Sequence, residues 1–207
     1  MRRFGLLLAL FAIQAVPPPA HAADPRYPDW PCAQAKVPQL SVAAMWDGPS
    51  IADVGNSWQD DPKIKDLVMR LAARRTPLDA AQKAAADFIT GDKKEKTEKE
   101  DKAKKLFAGL FDTLSQERSE VMDGIERLEH NEKGLADRIR SDAATLRGLQ
   151  DEPAPDQAKM DQLAGQVEWG TRIFEDRRKS IRYVCEVPTI IEQRVFALGR
   201  AIRQTLN

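Results

Sequence analysis

The feature that most restricts the fold of this chain is a regular apolar spacing in its C-terminal half. Between residues 111 and 149, positions at alternating intervals of three and four are mostly apolar, nine of twelve in all, and no proline interrupts them. Such a repeat predicts a helix about 58 Å long, at 1.5 Å per residue, with an apolar seam along one side. The seam positions are Phe111, Leu114, Arg118, Val121, Ile125, Leu128, Glu132, Leu135, Ile139, Asp142, Leu146 and Leu149.

The same spacing resumes after a short stretch that contains Pro153 and Pro155, where ten of fourteen positions are apolar. Two heptad helices joined by a short loop predict an antiparallel coiled-coil hairpin over about residues 106–207, with its tip near 150–155. The second set of seam positions is Met160, Leu163, Val167, Gly170, Phe174, Arg177, Ile181, Val184, Pro188, Ile191, Val195, Leu198, Ile202 and Thr205.

The position of the loop also predicts how the two helices align. A turn centred between residues 152 and 153 places Gly134 opposite Gly170 or Thr171, where two backbones could approach closely. The same alignment brings Glu132 within about one turn of Arg177. We therefore expect these two polar seam residues to pair, and the pair to set the alignment more than to add stability.

Near the open end of the hairpin the apolar stripe is wider than a two-helix contact needs, which requires further helices as neighbours. One helix is predicted after Asp61 and Pro62, which suit the N-cap and first helical positions, and a second from the Thr76–Asp79 capping box to Gly91. We therefore expect an all-α fold in which the coiled coil projects from a small four-helix base. Pro188 is expected to kink or restart the last helix, because it lacks a backbone donor.

The segment before these helices has a different composition. Six prolines lie between residues 23 and 62, together with Trp30, Trp46 and Trp58. Proline at this density prevents regular helix and favours extended backbone, whereas each tryptophan has a large area to bury. Residues 23–61 are therefore predicted to form an extended arm along the helical domain of residues 62–207.

The first 22 residues have the three parts of a secretory signal. Arg2 and Arg3 are followed by the apolar stretch 4–16, three prolines and the small-residue pattern of residues 20–22. An apolar run of 13 residues is too short to cross a bilayer, which takes roughly 20. We predict cleavage after Ala22 and a periplasmic protein without a membrane span.

The chain contains two cysteines, Cys32 and Cys185. In an exported protein the simplest arrangement is one disulfide, which on the chain-entropy model contributes about 5 kcal/mol for a loop this long. Two free thiols or a bridge between two chains are the alternatives. The cysteines do not form a CxxC pair, so thiol–disulfide exchange is not indicated as the function.

Few residues of the mature sequence suggest catalysis or metal binding. His130 is the only histidine after residue 22, which excludes triads and paired-histidine metal sites. No metal, cofactor or catalytic residue is therefore expected. The mature chain has a net charge near −2, so it has no electrostatic basis for binding nucleic acid. Residues 92–105 carry twelve charges in fourteen positions and fit either a solvated helix or a mobile loop.

Parts of the sequence are similar to two exported families. Asp29-Trp30-Pro31-Cys32 and the stretch of residues 172–188 resemble exported proteins of alphaproteobacteria that have no assigned activity. Leu78-Asp79-Ala80-Ala81-Gln82 is similar to the Leu-Thr-x-x-Gln motif of small periplasmic stress chaperones, with Asp in place of Thr. These resemblances imply an exported helical protein and, in the second case, a chaperone.

The sequence thus favours a non-enzymatic periplasmic adaptor that binds an envelope protein through its hairpin or its aromatic arm. The candidate interaction residues are Trp169, Trp30, Trp46 and Trp58. The alternative is a chaperone-like holdase for unfolded clients. A holdase requires a contiguous exposed apolar patch, which an adaptor does not need.

Overall fold

A computed structural model of the chain describes residues 24–91 and 95–207, and within these ranges the fold is all-helical, with no strand. The predicted all-α class is confirmed, whereas the predicted signal peptide lies outside the described residues. A single 3₁₀ turn covers Ser57–Asp60. The α-helices are α1 (Val42–Met45), α2 (Pro62–Ala72), α3 (Leu78–Thr90), α4 (Lys96–Gln150) and α5 (Gln157–Gln204).

Helix α2 begins as predicted, because the Asp61 carboxylate accepts hydrogen bonds from the backbone N–H groups of Lys63 and Ile64. The capping box predicted for α3 is wrong. Its N-cap is Pro77, and the Thr76 hydroxyl donates instead to the carbonyl of Arg70 at the end of α2. The Thr76 hydroxyl therefore binds a carbonyl at the end of α2 and does not cap a backbone N–H group at the start of α3.

Helix α4 begins at Lys96, so the charged segment is helical from that residue onward, and residues 92–94 lie outside the described ranges. After the loop, Asp156 caps α5 by accepting from the Lys159 N–H at 3.1 Å. Of the two outcomes predicted at Pro188, a kink or a restart, the restart does not occur, since α5 continues through it as one helix. Pro188 is buried, and the packing of the flanking turns holds the helix together where one backbone bond is missing.

Helices α4 and α5 run antiparallel and contact each other at matching levels. Glu132 Oε1 accepts from Arg177 Nη1 at 2.8 Å, as the seam spacing predicted. Every seam position of α4 is buried or partly buried, and among the seam positions of α5 only Arg177 is classed as exposed.

The predicted close approach of Gly134 and Gly170 is wrong. Gly170 is buried beneath Ile139 and Leu135, whose side chains lie 3.0 and 4.0 Å from the position of an ideal Cβ. Gly134 is exposed, with nothing within 4 Å of its own ideal Cβ. It precedes the seam residue Leu135 by one position, and a rotation of about 100° per residue turns it away from α5.

The hydrophobic core lies where α2 and α3 pack on the first turns of α4 and the last turns of α5. Past this core, α4 continues beyond Leu114 to Gln150, about 35 residues or roughly 50 Å. Three residues of the N-terminal segment, Trp46, Val54 and Trp58, belong to the core. Its largest fully buried side chains are Ile64, Leu71, Ile89, Leu106, Phe107, Leu110, Leu114, Ile191, Leu198 and Ile202.

Candidate interaction surfaces

The arm, residues 24–61, is fastened to α4 and α5 by one covalent bond and by ion pairs. In its second half Asp53 pairs with Lys104 at 2.6 Å, and two further pairs lie in its first half. Cys32 and Cys185 form an intrachain disulfide, with an S–S distance of 2.02 Å and Cα atoms 5.5 Å apart. Lys36 Nζ lies 2.7 Å from Glu126 Oε1 on α4. Nearer the start of the arm, a second ion pair of 2.7 Å joins Asp29 to Lys133. The arm therefore follows the helical pair outward from the core.

His130 lies at the end of this contact and is mostly exposed, with Nδ1 3.3 Å from Asp29 Oδ2. The hydrogen bond from Lys133 lowers the pKa of Asp29 below its ordinary value, with a smaller contribution from His130. Among the described residues, no three His, Cys, Asp or Glu side chains are grouped so that they could hold a metal ion. His130 therefore contributes to fastening the arm.

Two of the four candidate tryptophans are buried and cannot contact a partner. Trp46 stacks on Phe107 with ring centroids 4.4 Å apart, and it is 7% exposed. Trp58 is 6% exposed and donates from Nε1 to Asp112 Oδ2 at 3.0 Å. Their prediction as interaction residues is therefore corrected: they join the arm to the core, because a tryptophan next to an apolar helix face is most stable when its ring is covered.

Trp30 is partly buried, and its Nε1 donates to the carbonyl of Gln34, four residues later in the arm. Trp169 has the opposite environment, since it is 64% exposed on α5. It directly precedes Gly170, which packs under Ile139, so Trp169 lies at the level of residue 139 on α4. Of the candidate residues, Trp169 is therefore the one whose ring is open to a partner.

A shallow notch of about 530 Å³ lies in the outer part of the helical pair, lined by His130, Asn131, Gly134, Arg138 and Arg177. Gly134 leaves its floor without a side chain. In the part of the chain that the structure describes, Arg138 has no ion-pair partner, and the hydrogen bond of Arg177 uses Nη1 alone. The notch therefore presents guanidinium donors that the protein itself leaves available.

Two further clefts are similar in size. One of about 610 Å³ lies at the open end of the pair, between Asp47, Lys96 and Arg203, and mixes both signs of charge. The other, about 600 Å³, lies beside the disulfide and includes Ile181 and Ile190.

Two arginines have structural roles that the sequence did not predict. Arg194 is 7% exposed and donates from Nε to the carbonyl of Leu71 at 2.8 Å and from Nη2 to that of Thr76 at 2.9 Å. Burial lowers the pKa of Arg194, although Glu117 opposes this effect. Arg118 was noted only as a polar seam position, and its Nε pairs with Glu192 at 2.7 Å. Arg194 therefore holds the end of α2 and the following loop against α5, and Arg118 joins α4 to α5.

Comparison of the chain with known protein families, with curated proteins and with solved structures gives no match. Over the residues that the structure describes, none of the helices combines the length and the apolar character that crossing a membrane requires.

Proposed function

We propose that this protein is a non-enzymatic periplasmic adaptor that binds an envelope protein through the outer part of the α4–α5 pair. In this proposal the pair is a coiled-coil hairpin, and α2, α3 and the adjoining ends of α4 and α5 are the four-helix base from which it projects. The observation that carries the proposal is the 64% exposure of Trp169, on a part of α5 beyond the hydrophobic core.

The length of the pair supports this proposal. The buried core ends at Leu114 on α4 and Ile191 on α5, and Val121 and Val187 are the outermost residues that pack against it. The turns beyond Val121 and Val187 therefore add nothing to the core. Ordering those turns costs conformational entropy, which a chain selected for folding alone could avoid by turning back sooner. Reach beyond the core is therefore the property that we connect with function.

Export is part of the same proposal. The signal-like N-terminus, the Cys32–Cys185 disulfide and the resemblance to exported proteins all suit an oxidising compartment. Sequencing the N-terminus of the native protein tests this, with Ala23 expected as the first residue.

The distribution of exposed apolar side chains favours an adaptor over a chaperone-like holdase. Large exposed apolar residues are spread over the arm and three helices. They are Val37 on the arm, Met69 on α2, Leu78 on α3, and Trp169, Tyr183, Ile190 and Phe196 on α5, where Trp169 stands 14 positions from Tyr183. A holdase needs one broad apolar surface. A single exposed tryptophan among polar neighbours is typical of an anchor for a defined partner.

Shortening the pair tests the proposal. Ile139 and Gly170 face each other, so replacing the residues between them with a short loop removes Trp169 and leaves the core, arm and disulfide intact. We expect the shortened protein to fold and to lose its partner in co-purification from native periplasm. Trp169→Ala should have the same effect, whereas Tyr183→Ala, an aromatic of 63% exposure on the same helix, is the matched control. Retention of every partner by the shortened protein would refute the proposal.

A further inference from the structure

We propose that the notch over Gly134 receives a carboxylate from an acidic segment of the partner protein, while Trp169 packs on an apolar side chain of the same segment. This inference rests on the proposed function and adds the chemistry of the partner to it.

Charge around the notch favours an anionic group. Three acids beside the notch are already engaged: Glu132 pairs through Oε1 with Arg177 at 2.8 Å, Asp176 pairs with Lys179 at 3.2 Å, and Asp137 pairs with Arg140. Oε2 of Glu132 is buried without a hydrogen-bond partner among the described residues. Arg138 is left as the unpaired charge that lines the notch within the described residues. An acidic partner therefore gains attraction without displacing an internal ion pair.

The donors suit a carboxylate in particular. A guanidinium offers five N–H donors in a planar fork that matches the two oxygens of a carboxylate. Arg138 has this fork available, and Arg177 keeps donors besides the Nη1 group that binds Glu132. Because Gly134 has no side chain, an incoming carboxylate can approach the α4 backbone between these two arginines.

Trp169 lies close enough to serve the same partner segment. It is eight residues from Arg177 on α5, about 12 Å along the helix. Two turns of a helix, or about four extended residues, span this distance. Tryptophan and arginine are also the residues most often found at energetic centres of interfaces. One short segment can therefore contact both features.

The arm reaches one edge of this site and leaves the rest open. Asp29 pairs with Lys133 and with His130, which lines the notch, but no residue of the arm itself lines it.

Two glycines on α4 provide a matched test of the notch. Gly134 and Gly148 are both exposed, with nothing within 4 Å of an ideal Cβ, and they lie two heptads apart. Gly134→Phe fills the notch, whereas Gly148→Phe adds the same ring outside it. We expect the first variant to reduce partner capture at least tenfold and the second to leave it unchanged. Equal capture by both variants would overturn the inference.

A second experiment reads the chemistry of the contact directly. Carbodiimide joins a lysine amine to a carboxylate without a spacer, so we expect the Arg138→Lys variant to form an amide with an Asp or Glu of the partner in native periplasm. Arg147→Lys, also on α4 but not lining the notch, is the control that should form none. Peptide mapping should place the link on an acidic segment, and Trp169→Ala should abolish it.

A chemistry-blind probe separates this inference from the proposed function. A photoreactive benzophenone residue at position 169 captures any protein that contacts the outer pair. Photo-capture without a carbodiimide link through Arg138→Lys would overturn the acidic segment and leave the adaptor standing. If neither photo-capture nor a carbodiimide link is observed, the acidic segment and the adaptor function are both overturned. Binding to phosphatidylglycerol vesicles that depends on Arg138, without a protein link, would replace the protein segment with a lipid surface.

Discussion

Glu132 and Arg177 meet across the α4–α5 contact, with Oε1 and Nη1 2.8 Å apart, although 45 residues separate them in the chain. Glu132 is 3% exposed, while the side chain of Arg177 is half exposed. Withdrawing a carboxylate from water offsets most of what the pair gains, so its main effect is to align the two helices.

Removing only the positive partner should therefore be costly. We expect Arg177→Met to lower the free energy of unfolding by about 2–3 kcal/mol, because the buried Glu132 carboxylate loses its charged partner. The double variant Glu132→Leu/Arg177→Met should recover most of this loss. Urea denaturation of the three proteins checks it, and a double variant no more stable than the single one would contradict it.

Two glycines in α4 should respond to alanine with opposite signs. An ideal Cβ on Gly109 lies 2.7 Å from Val68 Cγ2 and 2.8 Å from the Trp58 ring, so Gly109→Ala should destabilise the protein by about 1–3 kcal/mol. Gly134 is open, and Gly134→Ala should stabilise the helix by about 0.5–1 kcal/mol. Thermal unfolding of both variants measures the difference. Stabilisation by Gly109→Ala would show that its contact relaxes freely, and destabilisation by Gly134→Ala would contradict the prediction for that position.

Arg194 should prove important to the loop between α2 and α3. Arg194→Met leaves the carbonyls of Leu71 and Thr76 without their donor, which we expect to cost about 2–3 kcal/mol. The stability of Arg194→Lys should lie between that of Arg194→Met and that of the original protein, since an ammonium cannot bind both carbonyls as the guanidinium does. Denaturant titration gives the energies, and faster amide exchange at residues 72–77 should localise the effect.

The disulfide should stabilise the arm and the whole fold. Cys32→Ser/Cys185→Ser opens a loop of 153 residues and should lower stability by about 2–5 kcal/mol. Limited proteolysis should cut the arm near residues 33–40 faster in this variant. The original protein treated with a reductant should behave in the same way, and an unchanged cleavage rate in both would show that the ion pairs and the buried tryptophans hold the arm without the disulfide.

Regular spacing made the long helices predictable, because each seam position follows from the period of a helix and needs no knowledge of its neighbours. The pairing of Glu132 with Arg177 followed from the same period and a short loop. The burial of Trp46 and Trp58 could not be predicted from this period. It depends on where the arm meets Phe107 and Gly109, more than 50 positions further along the chain. Arg194 was missed for the same reason: its acceptors are carbonyls, which exist at every residue and leave no mark in a sequence.

The separation of the two cysteines also orders events during the making of the protein. Cys32 leaves the ribosome 153 residues before Cys185, which at 5–20 residues per second is roughly 8–30 s. During that interval the thiol of Cys32 has no partner within its own chain. The bond therefore closes only after the sequences of α2, α3 and α4 have been made.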